Sequence, residues 1–356
     1  MRRSSLTTEF LPAFLIGYSN SDFTQPHEVV LPDEAPDCRL QFTHMGARYS
    51  GYETLRHKAT TPQKNGFRYD HNAHHWLHIG LSKRSLVHTL KISTKWFTGN
   101  QVRAVTVDLI DELTGKTQRV MDRQSLNPDA DHEFPVAGVA ATECRVKCYY
   151  EGGIARIQLF GGAAAEQLKE RPNLLETAQI SHISNDHYGN PAMAVAGTRK
   201  ETHMVGWESA RTGFGERALF QLEKPAEIGE LVVDTYLHRL NPPLSSHLFG
   251  WNGSDIDEAM KEAPRWKLVL DDGREILPDD FQAYMLGQKY LEEGVTSFDI
   301  RLHNDNPRWL PILAHGELAA DRYHRFRDLQ PVGPVTHLLY MHYPNGGIHG
   351  LKAFAR

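Results

Sequence analysis

The sequence has little cysteine. Its 356 residues contain three cysteines, Cys38, Cys144 and Cys148, which are too few for the disulfide framework of a small secreted domain. Cys144 and Cys148 lie four residues apart in a predicted strand, where they share a face. They form either a metal or redox pair or two small buried side chains, and burial is the favoured interpretation. We therefore expect a reducing, cytoplasmic location.

Long apolar runs, basic clusters and nucleotide-binding motifs are also missing. The run LPAFLIG near the start is short and contains Pro12, and no later segment is long enough to span a membrane. The net charge is −5, and no basic stretch is interleaved with aromatic residues. Phosphate-binding Gly-rich loops, Gly-x-Ser-x-Gly elbows and dinucleotide fingerprints are absent. We expect a small-molecule substrate, no nucleic-acid or membrane partner, no cofactor, and an oligomeric state that the sequence leaves open.

Short β-type segments are the dominant pattern. They alternate in polarity or are rich in β-branched residues, and Gly, Pro and Asn separate them. The clearest are residues 86–92, 102–107, 145–150 and 154–160. Because long amphipathic helices are absent and each half holds many short strands, the pattern predicts an all-β fold built from antiparallel sandwiches.

Four sequence landmarks recur in the same order in the two halves of the chain. The pairs are residues 51–54 with 206–209, 92–94 with 233–235, 126–134 with 318–326, and 152–154 with 346–348. Such a repeat indicates a duplicated module. We predict a first domain at 1–165, a linker at 166–180 that follows a Gly-Ala stretch, and a second domain at 181–356.

The spacing of the landmarks locates two insertions. The offset between the halves falls from 155 to 141 and then rises to 192. The first change places 14 extra residues in the first half, at the polar stretch 58–71, and the second places 51 extra residues in the second half, at about 250–312. Long structured insertions often border a site, although a simple surface excursion explains them equally well.

The repeat also marks candidate acid/base groups. Glu53 follows Tyr52, and a carboxylate beside a large apolar side chain acquires a raised pKa suited to proton transfer. The alternative is an ion pair with the nearby Arg56. His132 and its counterpart His324 each lie two residues before a Phe, as acid/base groups or as histidines hydrogen-bonded within a loop.

Other polar residues are candidate binding groups. Asn100 ends a Gly-Asn turn that offers an amide, and Arg145 and Arg156 flank a Gly-Gly turn where they can bind a carboxylate bidentately. The patch at 70–78 is rich in histidine, but no Cys or carboxylate stands beside it at a zinc-site spacing. We expect no bound metal.

These motifs resemble those of the allantoicase family, which is built from two tandem jelly-roll, galactose-binding-like repeats. The resemblance covers nearly the whole chain outside the insertions. The first half matches in Gly-Tyr-Glu-Thr-Leu-Arg (51–56), His-His-Trp (74–76), Phe-Thr-Gly-Asn (97–100), Leu-Asn-Pro (126–128) with His-Glu-Phe (132–134), and Gly-Gly-Ile-Ala-Arg (152–156). The second half matches in Gly-Trp-Glu-Ser-Ala-Arg (206–211), Val-Asp-Thr (233–235) and Asn-Gly-Gly-Ile (345–348).

The resemblance implies hydrolysis or elimination at a C–N bond, since the family releases urea from allantoate. On this basis Glu53 or His132 is the acid/base group and Arg56, Arg145 and Arg156 bind the substrate carboxylate. Asn100 and His74 contact the ureido group, and His75 is a further candidate for substrate binding.

The sequence also departs from the family pattern. His75 and Ser93 replace family aspartates in the first half, while in the second half residues 217–220 stand where a His-Asp-Trp motif is expected, and Leu339 and Gly350 replace arginines. The first half therefore keeps the better candidate site. Three functions stay open: a metal-free hydrolase or lyase of a ureido or guanidino carboxylate, an enzyme of specialised metabolism catalysing a dehydration, cyclisation or cycloaddition, and a non-catalytic binding protein.

Overall fold

The computed structural model describes residues 8–21, 23–44, 46–200, 203–211, 215–276 and 297–356. The chain forms two compact units, Met1–Glu170 and Arg171–Arg356, which we call the first and second halves. Antiparallel strands dominate both halves, so the predicted all-β fold of two tandem β-sandwiches is confirmed. Among the described residues, no helix is long and apolar enough to cross a membrane.

The first half contains thirteen described strands and a short 3-10 helix, Pro26–Val30. The strands are β1 (Glu9–Phe10), β2 (Ala13–Tyr18), β3 (Phe42–Thr43), β4 (Gly46–Ala47), β5 (Tyr52–Glu53), β6 (Thr60–Gln63), β7 (Gly66–Tyr69), β8 (His75–Ser93), β9 (Ala104–Asp111), β10 (Lys116–Ser125), β11 (Asp131–Tyr149), β12 (Gly153–Ile154) and β13 (Arg156–Ala163).

Two long strands, β8 and β11, contribute to both layers of the first sandwich. One end of β8 pairs with β2 and the other end with β13, and β11 pairs with β8 along both parts, with register shifts between them. The later part of β11 also pairs with β9, which pairs with β10. Alternate residues of these strands fill one core; Leu77, Ile92 and Val146, for example, are fully buried.

In the second half, the corresponding strands are divided between a five-stranded sheet and a three-stranded sheet. Its elements are β14 (Gln179–Ser181), α1 (Pro191–Ala196), β15 (Trp207–Glu208), β16 (Glu216–Ala226), β17 (Ile228–Asp234), β18 (Ser245–Trp251), α2 (Ile256–Lys261), β19 (Arg265–Leu270), β20 (Glu275–Ile276), β21 (Phe298–His303), β22 (Leu310–Glu317), β23 (Tyr323–Phe326), β24 (Val335–Tyr343), β25 (Gly347–Ile348) and β26 (Gly350–Ala355).

The landmarks occupy matching places in the two halves. β5 pairs with β12 as β15 pairs with β25. Gly152 and Gly346 have φ of 131° and 130°, a region that side-chain-bearing residues avoid. A Cβ on either glycine would lie 2.5 Å from a backbone atom of the facing loop, so both sites of the Gly-Gly landmark require glycine.

The predicted insertion at 250–312 covers the outside of a sheet. Residues 277–296 lie outside the described residues; the rest contains α2 and the sheet β20-β19-β21. Met260, Trp266 and Trp309 pack here against Phe249 and Leu339 of the sandwich. This contact explains why Leu339 stands where the first half has Arg145: the equivalent sheet face is covered in one half and solvent-exposed in the other.

The cysteines are buried and free. Cys144 and Cys148 share the inner face of β11, as expected from their spacing, and belong to the first core. Burial raises the pKa of both thiols to about 12. They are therefore protonated, apolar packing groups at neutral pH.

Candidate functional site

The first half has a pocket of about 300 Å3 at one end of its sandwich, at the lower limit of typical small-molecule sites. Its walls come from β5 and the loop that follows, from the β6–β7 hairpin, and from the loops after β8 and β11. The lining residues are Glu53, Thr54, Arg56, His57, Ala59, Thr60, Tyr69, Gly99, Asn100, Gln101, Arg103, Tyr150, Glu151 and Gly152.

The position of Glu53 follows from the short strand β5. Tyr52 is fully buried, and because successive side chains of a strand point to opposite sides, Glu53 faces the pocket. Gly51 has φ of 118°, and a Cβ there would lie 2.4 Å from the Ile154 carbonyl oxygen. The Glu53 backbone N–H donates to Thr24 Oγ1 at 3.1 Å. Both contacts fix the strand at the edge of the pocket.

Glu53 and Asn100, two of the candidate site residues, meet in the pocket. Asn100 Nδ2 donates to Glu53 Oε1 at 2.9 Å. Burial raises the pKa of Glu53, while the Asn100 hydrogen bond and the Arg56 charge act in the opposite direction. The net result is a carboxyl that keeps its proton to a higher pH than one in water.

Arg56 lines the same pocket and is exposed. Three further groups join it there that the sequence analysis missed: Arg103, Tyr150 and Glu151. Glu151 Oε2 accepts a hydrogen bond from the His57 backbone N–H. The sequence offered one signal for Glu151, its position next to the Gly152-Gly153 landmark. That landmark pairs with β5, the strand that carries Glu53. The pocket thus combines two carboxylates with two guanidinium groups.

The shorter insertion, at 58–71, borders this pocket. It folds as the β6–β7 hairpin, in which Thr60 pairs with Tyr69 and Gln63 with Gly66. Ala59, Thr60 and Tyr69 line the pocket. Of the two insertions, this one contributes directly to the candidate site.

His132 lies at the start of β11, outside the pocket lining, and its side chain holds the preceding loop. Its Nε2 accepts from the Asn127 backbone N–H at 2.9 Å, and its Nδ1 lies 3.2 Å from the Ile92 carbonyl oxygen, to which it donates. His324 makes the same pair of contacts, at 2.9 Å and 3.0 Å, with Ala319 and Val233. The duplicated hydrogen bonds favour the structural interpretation of both histidines.

The two candidate anchors Arg145 and Arg156 are also outside the pocket. Arg145 lies on the exposed face of β11, opposite the buried Cys144. Arg156 is 2% exposed; its Nε donates to the Asp33 carbonyl oxygen at 2.8 Å and its Nη1 to Ser50 Oγ at 3.0 Å. The Arg156 guanidinium therefore ties a loop to the sandwich.

Arg156→Ala is expected to lower the free energy of unfolding by about 1–3 kcal/mol, because it removes buried hydrogen bonds made by a charged donor. Arg145→Ala is a matched control that should change it by less than about 0.5 kcal/mol, as for an exposed side chain. Urea denaturation of both variants measures the difference. Equal stabilities would contradict this account of Arg156.

His74 and His75 lie beside the pocket without lining it. His74 Nδ1 is 2.8 Å from the Asn72 carbonyl oxygen, and its ring contacts Tyr149. His75 is 1% exposed, and its Nδ1 shares a hydrogen bond with Ser19 Oγ at 3.0 Å. Burial lowers the pKa of His75. The assignment of His74 and His75 to substrate binding stays a prediction.

The strand register identifies the counterpart of His75. His75 pairs with Cys148, and Glu216 pairs with His342 in the same position of the second half. The central residue of the His-His-Trp motif (74–76) therefore aligns with Glu216. The expected alignment of this motif with residues 217–220 was wrong. Ser184 Oγ donates to Glu216 Oε2, and burial raises the pKa of Glu216 to about 7. The second half thus keeps an acidic residue that the sequence comparison missed.

No group of three or more His, Cys, Asp or Glu side chains in the described part of the chain is placed to hold a metal ion. The histidines of the patch at 70–78 are dispersed: His71 contacts Tyr150, His75 contacts Ser19, and His78 Nε2 pairs with Glu143 Oε2 at 2.7 Å.

Known proteins were compared with this sequence and fold. The sequence profile of the allantoicase repeat matches residues 5–164 and again 173–356. A probable allantoicase from Ralstonia nicotianae is 24% identical over 94% of this chain and 89% of the relative. A probable allantoicase from Nocardia farcinica is 30% identical over 67% of this chain and 76% of the relative.

The allantoicase from Saccharomyces cerevisiae is 26% identical over 64% of this chain and 70% of the relative. Its crystal structure aligns with 99% of this chain and 95% of its own at a TM-score of 0.35 and 17% identity. Because the repeat profile matches both halves, the family is settled by sequence, and this chain belongs to the allantoicase repeat family.

Proposed function

We propose that this protein cleaves a C–N bond of a ureido or guanidino carboxylate by acid/base catalysis in the pocket of its first half. The observation that carries the proposal is the Glu53–Asn100 contact of 2.9 Å in a pocket that also holds two arginines. A carboxyl of raised pKa beside an amide and cations supplies the groups that this reaction needs.

The lining residues divide into binding and proton-transfer groups. Arg56 and Arg103 present guanidinium groups, whose planar N–H pairs match a substrate carboxylate. Asn100 uses Nδ2 to hold Glu53, which leaves its Oδ1 as an acceptor for a ureido N–H. Because the Asn100 side chain then contacts both Glu53 and the ureido group, Glu53 lies next to the leaving nitrogen.

Two carboxylates allow the two proton transfers to be shared. Water attacks the carbon that bears the ureido group, a C–O bond forms, and the C–N bond breaks with its electron pair going to nitrogen. Protonated Glu53 donates its proton to that nitrogen, and Glu151 accepts a proton from the attacking water. Return of the proton from Glu151 to Glu53 regenerates the enzyme, and a hydroxy acid leaves together with urea from a ureido substrate or guanidine from a guanidino substrate.

The test is an assay of hydroxy-acid formation, with the released urea or guanidine measured beside it, for a set of carboxylates that differ in the nitrogen substituent: allantoate, other ureido acids, guanidino acids and N-acetyl acids. We expect turnover of a ureido or guanidino acid faster than of its N-acetyl analogue. Because Ser93 and His75 replace family aspartates, we expect allantoate to be a poor substrate. Absence of urea release from every ureido acid, together with absence of guanidine release from every guanidino acid, would contradict the proposal.

Chelation is expected to leave the rate unchanged. Both pocket carboxylates already accept hydrogen bonds, Glu53 from Asn100 and Glu151 from the His57 N–H, and these two side chains carry out both proposed proton transfers. The measurement compares urea release before and after dialysis against a chelator. Loss of activity that returns on adding one divalent metal would contradict this prediction.

A further inference from the structure

Aromatic rings gather at one wall of the pocket, next to its charged groups. The rings of Tyr69 and Tyr150 lie 5.4 Å apart at an interplanar angle of 63°. The ring of His71 lies 5.2 Å from that of Tyr69, and His71 Nδ1 is 3.1 Å from the Tyr150 hydroxyl. Tyr69 and Tyr150 both line the pocket. The proposed reaction at Glu53 uses none of these rings.

The aromatic wall is accessible to a ligand. Tyr69 is 50% exposed, although a tyrosine placed for packing alone would be buried against a core. It belongs to β7, whose four residues are all exposed. Tyr69 therefore holds aromatic surface next to the charged groups without a core to cover it.

The wall belongs to the first half specifically. Tyr69 comes from the inserted residues 58–71, and Tyr150 corresponds to Pro344 in the second half, at the offset of the Gly-Gly landmark. The two rings therefore accompany the same half that keeps Glu53, Asn100 and Arg56 in one pocket.

We propose that the ligand of this pocket carries a planar aromatic group beside its carboxylate, and that Tyr69 and Tyr150 bind that group by ring contacts. The assignment of the carboxylate and ureido contacts rests on the proposed function; the aromatic contact does not. Edge-to-face and stacked ring pairs add to the free energy gained by burial alone. The hairpin that carries Tyr69 is then a determinant of substrate specificity.

The test is the affinity of four probes, measured by titration calorimetry: N-carbamoylglycine, N-carbamoylphenylalanine, N-carbamoylcyclohexylalanine and N-acetylphenylalanine. We expect N-carbamoylphenylalanine to bind about tenfold more tightly than N-carbamoylglycine and more tightly than the cyclohexyl probe, which has similar size but no aromatic ring. Tyr69→Ala should remove the preference, and Tyr69→Phe should retain it. Phe67→Ala is the matched control, because Phe67 is a 74% exposed aromatic residue of the same strand that does not line the pocket.

Each outcome separates the two proposals. Equal affinities for the glycine and phenylalanine probes, or a preference unchanged by Tyr69→Ala, would overturn the aromatic inference and leave ureido recognition standing. Equal affinities for N-acetyl- and N-carbamoylphenylalanine, both lost in Tyr69→Ala, would support the aromatic inference and count against the ureido function. No binding of any probe would overturn both. All three substitutions are at exposed positions, where effects on folding are small.

Discussion

Glu53→Gln is expected to lower kcat/KM by about 10²–10⁴-fold, the usual contribution of a positioned general acid. Glutamine keeps the size of the side chain and an oxygen that can accept from Asn100 Nδ2, so the pocket geometry should persist. It cannot donate a proton to the leaving nitrogen. The expected result is a loss in kcat with a small change in KM, measured by urea release from the best substrate.

The duplicated fold provides a matched control. Glu208 occupies the place of Glu53 in the second half, on a two-residue strand that pairs in the same way with its Gly-Ile partner. Glu208→Gln makes the same chemical change in the same local structure, and we expect it to leave the rate within about twofold of the wild type. Comparable losses in the two variants, or a larger loss for Glu208→Gln, would place the chemistry elsewhere.

The pH dependence of kcat/KM provides a second test of Glu53. Burial raises the pKa of this carboxyl, so its proton is retained to a higher pH than in water. A general acid acts in its protonated form, and activity should therefore fall as the pH rises through the raised pKa. Glu53→Gln should lose this descending limb while its low residual rate stays flat. A profile that rises over the same range would instead assign Glu53 as a base.

The sequence led to Glu53 because two glycines fix the position of its strand. Gly51 and Gly152 each meet backbone atoms within 2.6 Å of where a Cβ would stand, so these positions cannot vary without shifting the chain. The same constraint in the second half made the landmarks recur. Repeat comparison thus located β5 and its partner strand, and with them one end of the site.

Other site residues had no such signal. Arg156 and His132 occur in recurring or family motifs, yet the structure uses both to hold loops. Their motifs recur because these side chains are needed for local hydrogen bonds. The sequence alone does not distinguish such a structural role from a chemical one. Arg103 and Tyr69 reach the pocket only through a loop and an inserted hairpin, whose paths depend on packing between distant segments.

The second half lacks an arginine at the place of Arg156, and Arg199 from a different segment lies near that place instead. Asp234 stands where the first half has Ser93, and Gly350 stands where it has Arg156. Arg199 Nη2 and Nε donate to the two carboxylate oxygens of Asp234 at 2.7 Å and 2.8 Å. The side chains are 14% and 6% exposed. A buried bidentate pair of this kind fixes the segment around residue 199 to β17.

Arg199→Ala is expected to lower the free energy of unfolding of the second half by about 3–5 kcal/mol, because it leaves a buried carboxylate without its cation. Adding Asp234→Ser, the residue found at the equivalent place in the first half, removes that carboxylate. The double variant should therefore be more stable than Arg199→Ala alone, even though it has lost both partners.

Tryptophan fluorescence during urea denaturation reports the unfolding of the second half separately from that of the first half. Four of the six tryptophans, Trp207, Trp251, Trp266 and Trp309, belong to the second half, so its unfolding dominates the signal. Arg199→Ala should shift that transition to lower urea concentration, and the Asp234→Ser addition should move it part of the way back. An Arg199→Ala transition that coincides with the wild type, or a double variant that is no more stable than Arg199→Ala, would show that the pair does not stabilise this half. The order of stability of these variants depends only on whether the buried Asp234 carboxylate has a cationic partner. The comparison therefore does not require knowledge of the substrate.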